Sequence, residues 1–488
     1  MKGPERRLKI SSARAPGAIF WRSAGIAVLS LTLCGCIPNA DVPNPALDVP
    51  ASYSAHGKGH EAPTPAADWW KGFRSSELDR LMNETVSGNF DVAAAVARIL
   101  QADAAARVVG AALLPSLDAG DSVTRSLSPA SFSTSAGTRT VFSSVFNASY
   151  VVDLWGKNRA NFEAAVQTAA FRRYDRDTVI LTSISSAAET YFAILSARER
   201  ITYAREDLRD ATRILKLIQD RAKFGTANAL NVAQQQALVD NVRASIPPLQ
   251  QIAEQNTAAL ALLIGEPPQR LSISGKNLLH LRMPRIAPGL PSQLLLQRPD
   301  IQSAEAQLLA AHANLVSARA AFFPQIALTG EGGFESLALQ SLFTPQAGFY
   351  SLAAGLTQPI FDGGALLGNF DLQKGAQKEL LADYRKSVVS AFSDVVKALS
   401  AVRQTARQQA LLQQSLTASR KAYDLAEQQL RAGTIDFVTL LQTEQTLFTT
   451  LDSLSQARLA HFQAAVTLYQ ALGGGIPWLD RTSVRQKT

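Results

Sequence analysis

Ala222-Lys223-Phe224-Gly225-Thr226 and Leu430-Arg431-Ala432-Gly433-Thr434 stand at equivalent places in two copies of one unit, 208 residues apart. Gly156 with Gly364 and Gly265 with Gly473 keep the same offset, so no gap is needed between these pairs. Gln234 and Leu238 correspond to Gln442 and Thr446, and Leu263-Ile264-Gly265 to Ala471-Leu472-Gly473. Upstream the offset becomes 209, pairing Asp91 with Asp300 and Pro115 with Pro324. An internal tandem repeat of this kind sets the architecture before any single element is read. The expected boundaries are 66–290 for the first repeat and 291–475 for the second, with a short tail over 476–488.

Working outward from the two Gly-Thr pairs, Gly225 and Gly433 read as structural turns, each ending one long helix before an amphipathic helix returns. Between Gly156 and Gly225 there are 69 residues, which as helix would run roughly 100 Å at about 1.5 Å each. No globular domain needs that length. Ile180, Ile184, Ala187 and Tyr191 step by 4, 3 and 4, as do Val388, Phe392, Val395 and Leu399. So narrow an apolar stripe belongs to a coiled-coil seam. Long helical hairpins are therefore expected near 156–265 and 364–473.

Ahead of each hairpin, an Ala-rich helix opens at Asp91 or Asp300, with the aspartate placed to cap the first free amides, and ends before Pro115 or Pro324. Two strands should follow each proline, near 116–153 and 325–361. In the first repeat Phe142, Phe146, Ala148, Tyr150 and Val152 share one face, and Ser143, Asn147, Ser149 and Asp153 the other. Tyr350, Leu352, Ala354, Leu356 and Ile360 repeat the apolar face, and because 208 is even the two faces agree. Strands of about ten residues with one apolar face suit a membrane-spanning β-barrel. Four strands per chain cannot close one, and hydrocarbon does not tolerate open edges, so several copies are required. A soluble coiled-coil protein would instead hide the Phe142–Phe146–Tyr150 face against a helix, which the structure can check.

The chain of 488 residues carries a net charge of +8, but Lys2, Arg6, Arg7, Lys9, Arg14 and Arg22 against Glu5 place +5 in the first 35 residues. The remaining +3 forms no basic run interleaved with aromatics, so no nucleic-acid partner is expected. Residues 1–35 read as a secretory signal: a basic stretch, an apolar run from Ala24 to Leu33 too short to span a bilayer, then small residues. Leu33-Cys34-Gly35-Cys36 matches the lipobox of bacterial lipoproteins, which makes Cys36 the lipid attachment site; an ordinary signal with two incidental cysteines is the bland alternative. Both cysteines of the chain lie here, so no internal disulfide can form beyond Cys36. Ile37 follows the anchor where, in lipoproteins, an aspartate would retain the protein at the inner membrane, so outer-membrane sorting is implied. From 36 to 65 the Pro-, Ala-, Asp- and Ser-rich composition suits an extended tether.

Several motifs together resemble the outer-membrane factor family, the TolC-like channels, and within it the lipoprotein branch paired with resistance-nodulation-division (RND) pumps. They are Leu296-Gln297-Arg298-Pro299-Asp300-Ile301, Ala304-Glu305, Ala318-Arg319-Ala320-Ala321-Phe322-Phe323-Pro324, Asp68-Trp69-Trp70 with Phe73 and Leu78, Asp153-Leu154-Trp155-Gly156 and Pro359-Ile360-Phe361-Asp362-Gly363-Gly364. The resemblance covers about Trp69 to Gly475. It implies a mixed α/β membrane protein, a homotrimer whose chains give four strands each to one outer-membrane β-barrel, continued by an α-helical periplasmic tunnel. It also implies an equatorial belt of short helices near 78–88, 270–290 and the C-terminal end, a periplasmic adaptor and an inner-membrane RND pump as partners, and outer-membrane lipid around the barrel. The same resemblance makes the helix-turn tips a periplasmic gate, with Lys223, Arg431 and Asp436 beside the tip glycines. At the position where many relatives carry an aspartate this chain has Gln442, so Asp436 is the substitute candidate for a charge ring, against the bland reading of solvated tip charges.

Nothing in the sequence reads as an enzyme. G-x-S-x-G, H-E-x-x-H and Walker sequences are missing, and Gly473-Gly474-Gly475 follows a helix where a phosphate cradle would have to open one. His56 and His60 sit in the tether without a cysteine or a set of nearby carboxylates, so no metal site and no cofactor beyond the Cys36 lipid is expected. Glu206 and Asp207, between Arg205 and Arg209, read as charge-balanced helix surface. Met1, Met82 and Met283 are too few for a thioether path for soft cations. The leading expectation is passive efflux of drugs or other small molecules. The alternatives are a channel for ATP-driven (type I) protein secretion and a non-conducting lipoprotein scaffold.

Overall fold

The computed structural model describes residues 66–128, 137–284, 286 and 297–474. The expected signal, Cys36, the tether and the tail fall outside the described residues. A single turn of 3-10 helix, Trp69–Phe73, leads into α1 (Ser76–Gly88) and α2 (Phe90–Gly110). Strands β1 (Ser116–Ser128) and β2 (Gly137–Val152) follow, then α3 (Lys157–Lys223) and α4 (Ala229–Ile264). The second half repeats the order as α5 (Pro299–Ala320), β3 (Gln325–Ser336), β4 (Gly348–Thr357), α6 (Ala365–Ala432) and α7 (Phe437–Ala471).

All four strands form one antiparallel sheet in the order β1-β2-β3-β4, so the pairing of β2 with β3 joins the two halves and β1 and β4 are its edges. Helices α3 and α6, with 67 and 68 residues, each run roughly 100 Å at about 1.5 Å per residue. Each starts after a glycine with positive φ, Gly156 or Gly364, where an aspartate at the strand exit takes the free amides. The Asp153 carboxylate accepts from the amides of Asn158 and Arg159, and that of Asp362 from Gly364 and Leu366.

The shorter helices meet end to end along the long ones, and the two halves build the joint alike. Asn89 caps α2 by accepting from the amides of Asp91 and Val92, while its Nδ2 donates to the Leu263 carbonyl at the end of α4, 2.8 Å away. The equivalent position is Arg298, whose Nη1 donates to the Ala471 carbonyl at the end of α7, 3.1 Å away. Its guanidinium also grips Asp300 through two nitrogens and reaches Asp394 on α6. Asp91 therefore does not cap its helix as expected, since Asn89 takes that role; in the other half Arg298 stands at the cap position without capping, and Asp300, inside the first turn of α5 and paired to Arg298, accepts from the Ile301 amide at 3.0 Å. At the same joints Gly265 approaches the Gly88 carbonyl and Gly473 the Gln297 carbonyl, both with φ near +80°.

The main core lies around this level. Trp70, Phe73, Leu78, Leu81 and Met82 are buried against Ile184, Tyr191, Phe192 and Leu195 of α3 and Phe462 and Val466 of α7. Trp69 stacks on Tyr469 at 4.9 Å, and Phe192 stands 5.0 Å from Phe73 and 5.1 Å from Phe462. Each such side chain taken from water contributes about 1.5–3 kcal/mol. The α6 stripe Val388, Val395 and Leu399 packs on Ile301 and Leu468 in a second cluster. Segment 270–284 of the expected belt is not helical. It is an extended strap held by Arg198, which donates to the Ile273 and Gly275 carbonyls, and by Glu77, which accepts from Ser274 and Gly275. Pro267, Pro268 and Pro284 break it up, and its carbonyls find the Arg198 side chain in place of helical amides.

Gly225→Ala should cost on the order of 1–2 kcal/mol for its left-handed φ alone, because a Cβ there meets nothing within 4 Å. Gly265→Ala adds a Cβ 2.1 Å from the Gly88 oxygen, so the joint must open. Thermal loss of helical circular dichroism in detergent should come at a clearly lower temperature for Gly265→Ala. Equal midpoints would show that the joint bears no load.

Candidate functional site

The sheet has two chemically different faces, and its register fixes which residues share each. Across the four strands Leu117, Ala148, Gly330 and Leu352 form one row, and Ala119, Phe146, Gly332 and Tyr350 another. Phe142, Val152, Ile326, Leu328, Ala354 and Leu356 lie on the same side. Among the described residues no helix covers this face: Phe146 is 59% exposed, Tyr350 83% and Leu352 80%. The soluble alternative required the opposite. Ile360, expected to extend the apolar face, lies beyond the end of β4 and is open to solvent beside Phe361. Trp155 stacks on Phe323 at 4.6 Å and donates to the Pro324 carbonyl, which sets an amphipathic aromatic at the level where strand becomes helix. Such a belt suits a membrane–water interface.

On the other face Asp118, Asn147, Glu331 and Ser351 pair across all four strands, and Ser122, Ser143 and Glu335 form a second polar row. Sequence reading missed Asp118, Glu331 and Glu335, although the alternation of β1 and β3 carried the signal. Asp121 and Arg125 are exceptions on the apolar side, beside Ser144 and Thr140 towards the far end of β1. Val145 and Phe349, with Gly333 between them, are apolar exceptions on the polar side, and a face that carries Asp118, Glu331 and Glu335 opposite an apolar one still describes the wall of a water-filled barrel.

At the opposite end of α3 and α6 the two turns are built alike. The Thr226 amide donates to the Arg221 carbonyl and the Thr434 amide to that of Gln429, both at 2.9 Å, closing Schellman turns around Gly225 and Gly433. The return helices are then capped at equivalent positions, α4 by Asn228 and α7 by Asp436. The Asp436 carboxylate accepts from the Thr439 hydroxyl at 2.6 Å and from its amide at 2.8 Å, and these bonds hold it below the usual carboxylate range. Lys223 pairs with Asp220 and Arg431 with Glu427, which also takes Arg213 from α3. Arg221 donates across to the Leu430 carbonyl and ties one hairpin to the other. Gln442 lies farther along α7, exposed in a groove with Ser419, Thr439, Thr443 and Thr446. The structure thus brings Lys223, Arg431 and Asp436 to the tips but commits each to a partner in its own chain, and it places Gln442 away from them. Cys36 lies outside the described residues.

Residues 81–266 and 290–474, one segment per repeat, match the profile of the outer membrane efflux protein family. The chain belongs to this family. Pyoverdine export outer membrane protein OpmQ of Pseudomonas aeruginosa is 39% identical over 469 residues, 94% of this chain and 98% of that one. The cation efflux system protein CusC of Escherichia coli is 30% identical over 460 residues, covering 92% and 98%. The crystal structure of CusC matches with a TM-score of 0.80 at 28% identity, over 89% of this chain and 99% of that one. The open-state MtrE outer membrane channel of Neisseria gonorrhoeae gives 0.79 at 27% identity, over 90% and 98%.

In this outer-membrane efflux channel the apolar face meets lipid and the hairpins extend into the periplasm. The roles of the two caps can be separated by substitution. Asp436→Asn keeps the acceptor that Asn228 supplies in the other hairpin and should leave the tip intact, while Asp436→Ala should fray the first turn of α7. Uptake of large antibiotics by cells carrying each variant measures the leak. Equal leak from Asp436→Asn and Asp436→Ala would assign Asp436 to a charge ring instead of a cap.

Proposed function

We propose that three copies of this chain close one twelve-stranded barrel and a helical tunnel, and that the assembly passively conducts drugs or other small molecules out of the periplasm. The observation that carries the reading is the open sheet: among the described residues β1 pairs only with β2 and β4 only with β3. Unpaired edges are not stable in hydrocarbon, and single-chain outer-membrane barrels start at about eight strands, so β1 of one copy must meet β4 of the next. The number three rests on the family resemblance.

The tip hairpins dock in this reading to a periplasmic adaptor and an inner-membrane RND pump, which supplies the energy and the choice of substrate. The chain itself performs no catalytic step. The names of its relatives support a conduit that leaves selection to the pump, since they cover pyoverdine, toluene and cations. Cys36 carries the lipid that holds the tether to the inner leaflet of the outer membrane.

Single-channel conductance in planar bilayers tests conduction, and a silent bilayer under all conditions would favour a scaffold. Phe146→Lys places a charge on the lipid face at about 2–4 kcal/mol and should block insertion. Asn147→Lys, one residue along on the polar face beside Asp118 and Glu331, should insert and conduct with altered ion selectivity. The same defect in both would refute the assignment of faces. Cys36→Ser should abolish labelling by radioactive palmitate, and a persistent label would place the acyl chain elsewhere.

A further inference from the structure

Some 10–25 Å above the tip turns, counted at about 1.5 Å per helical residue, each of the four hairpin helices turns one polar side chain inward. Gln235 of α4 and Glu444 of α7 are fully buried, Tyr423 of α6 nearly so, and Asp207 of α3 partly. Gln235 Nε2 donates to the Ala211 carbonyl of α3 at 3.0 Å and stands 3.5 Å from Glu444 Oε2. Four oxygens of these side chains are buried without a hydrogen-bond partner among the described residues: Asp207 Oδ2, Gln235 Oε1, Tyr423 OH and Glu444 Oε1. Ile214, Ile218, Leu440 and Val239 surround them with apolar packing. Of these only the Tyr423 hydroxyl can donate, so two ionised carboxylates in such a place are short of donors. A proton on each carboxyl supplies them, since a protonated Glu444 can donate to Gln235 Oε1.

We propose that Asp207, Gln235, Tyr423 and Glu444 form a proton-binding site that clasps the two tip hairpins together when its carboxyls are protonated and lets them part when they ionise. The surrounding charges agree. Asp210 and Arg213 of α3 and Glu427 of α6 face the site, and Arg213 is already committed to Glu427 and Asp210. Burial, then the Asp207 charge, pushes Glu444 up to about 7, and burial, then Asp210, pushes Asp207 up to about 7. The packed state therefore binds protons more tightly than a parted, solvated one. Its protonated contacts are complete below the ordinary carboxylate values of 3.8 and 4.5 and are lost as pH rises through about 7. The released proton passes to bulk water.

Amide hydrogen exchange of the full-length protein in lipid nanodiscs, over 205–220 and 437–450, tests this at about pH 5 and about pH 8 after correction for intrinsic exchange. Protection should fall at least about tenfold at the higher pH, as one group changes the equilibrium by up to ~10-fold per pH unit. Asp207→Asn combined with Glu444→Gln should stay protected at both. A pH response that survives in the double variant, or none in the wild type, overturns the proposal. So does wild-type protection restored at pH 8 by Ca2+ or Mg2+, which would make the site a cation site. Should the double variant fail to assemble, infrared spectra of the wild type decide: a protonated carboxyl band present at pH 5 and lost by pH 8 in the wild type, and reduced in Glu444→Gln alone, supports the site. The proposal rests on the tip being the periplasmic end of the channel, but protection is read on the hairpins and not as current, so its failure is separable from failure of conduction.

Discussion

A peptide group without a hydrogen bond costs several kcal/mol in hydrocarbon, and this chain enters the membrane with a sheet whose two outer strands are unpaired on one side. The rest of the molecule follows from meeting that demand. Each half contributes one hairpin of strands, and the pairing of β2 with β3 fuses the halves into a continuous wall. Because side chains alternate with period two, the even spacing between β2 and β4 keeps both apolar rows on the lipid side. An insertion of one residue in either half would turn that half of the wall inside out.

Below the sheet the solvent changes, and so does the means of stabilisation. Helices satisfy their own backbone, so the long α3 and α6 need only side-chain burial along narrow stripes, and water can touch the remainder. The weak points are where short helices stop. There Asn89 and Arg298, unlike in chemistry, act alike, because each reaches a carbonyl at the end of a return helix that would otherwise lack a donor. The Gly265 and Gly473 approaches let backbone meet backbone at those joints. Arg298 does more than Asn89, since its guanidinium also binds Asp300 and Asp394 and thereby fastens α5 to α6.

Much of this was legible from spacing. The 208-residue offset located the turns, the long helices and the shared parity of the strands, because period and glycine position are local signals. The belt over 270–284 was not, since its extended path depends on Arg198 and Glu77, distant in sequence. Asp91 resembled a cap by type and place, yet Asn89 sits two residues earlier and also meets α4, a contact invisible along the chain. At the tip, sequence marked the charges Lys223, Arg431 and Asp436 but not that each is consumed locally. Asp207 read as solvated surface beside Glu206, whereas its Oδ2 is buried. Periodicity along one helix of a bundle cannot tell which face meets three other helices.

The end-to-end joints at Gly265 and Gly473 also define a mechanical fulcrum. Beyond them α4 and α7, of 36 and 35 residues, project as arms of roughly 50 Å at about 1.5 Å per residue. An arm of that length converts a rotation of about 5° at its root into roughly 4–5 Å at its free end, by the same helical rise. Because α4 and α7 pack along the long helices and join them at the tip turns, such a rotation has to carry each hairpin as a unit, and it moves the tip by about the width of a small molecule without unfolding a single turn.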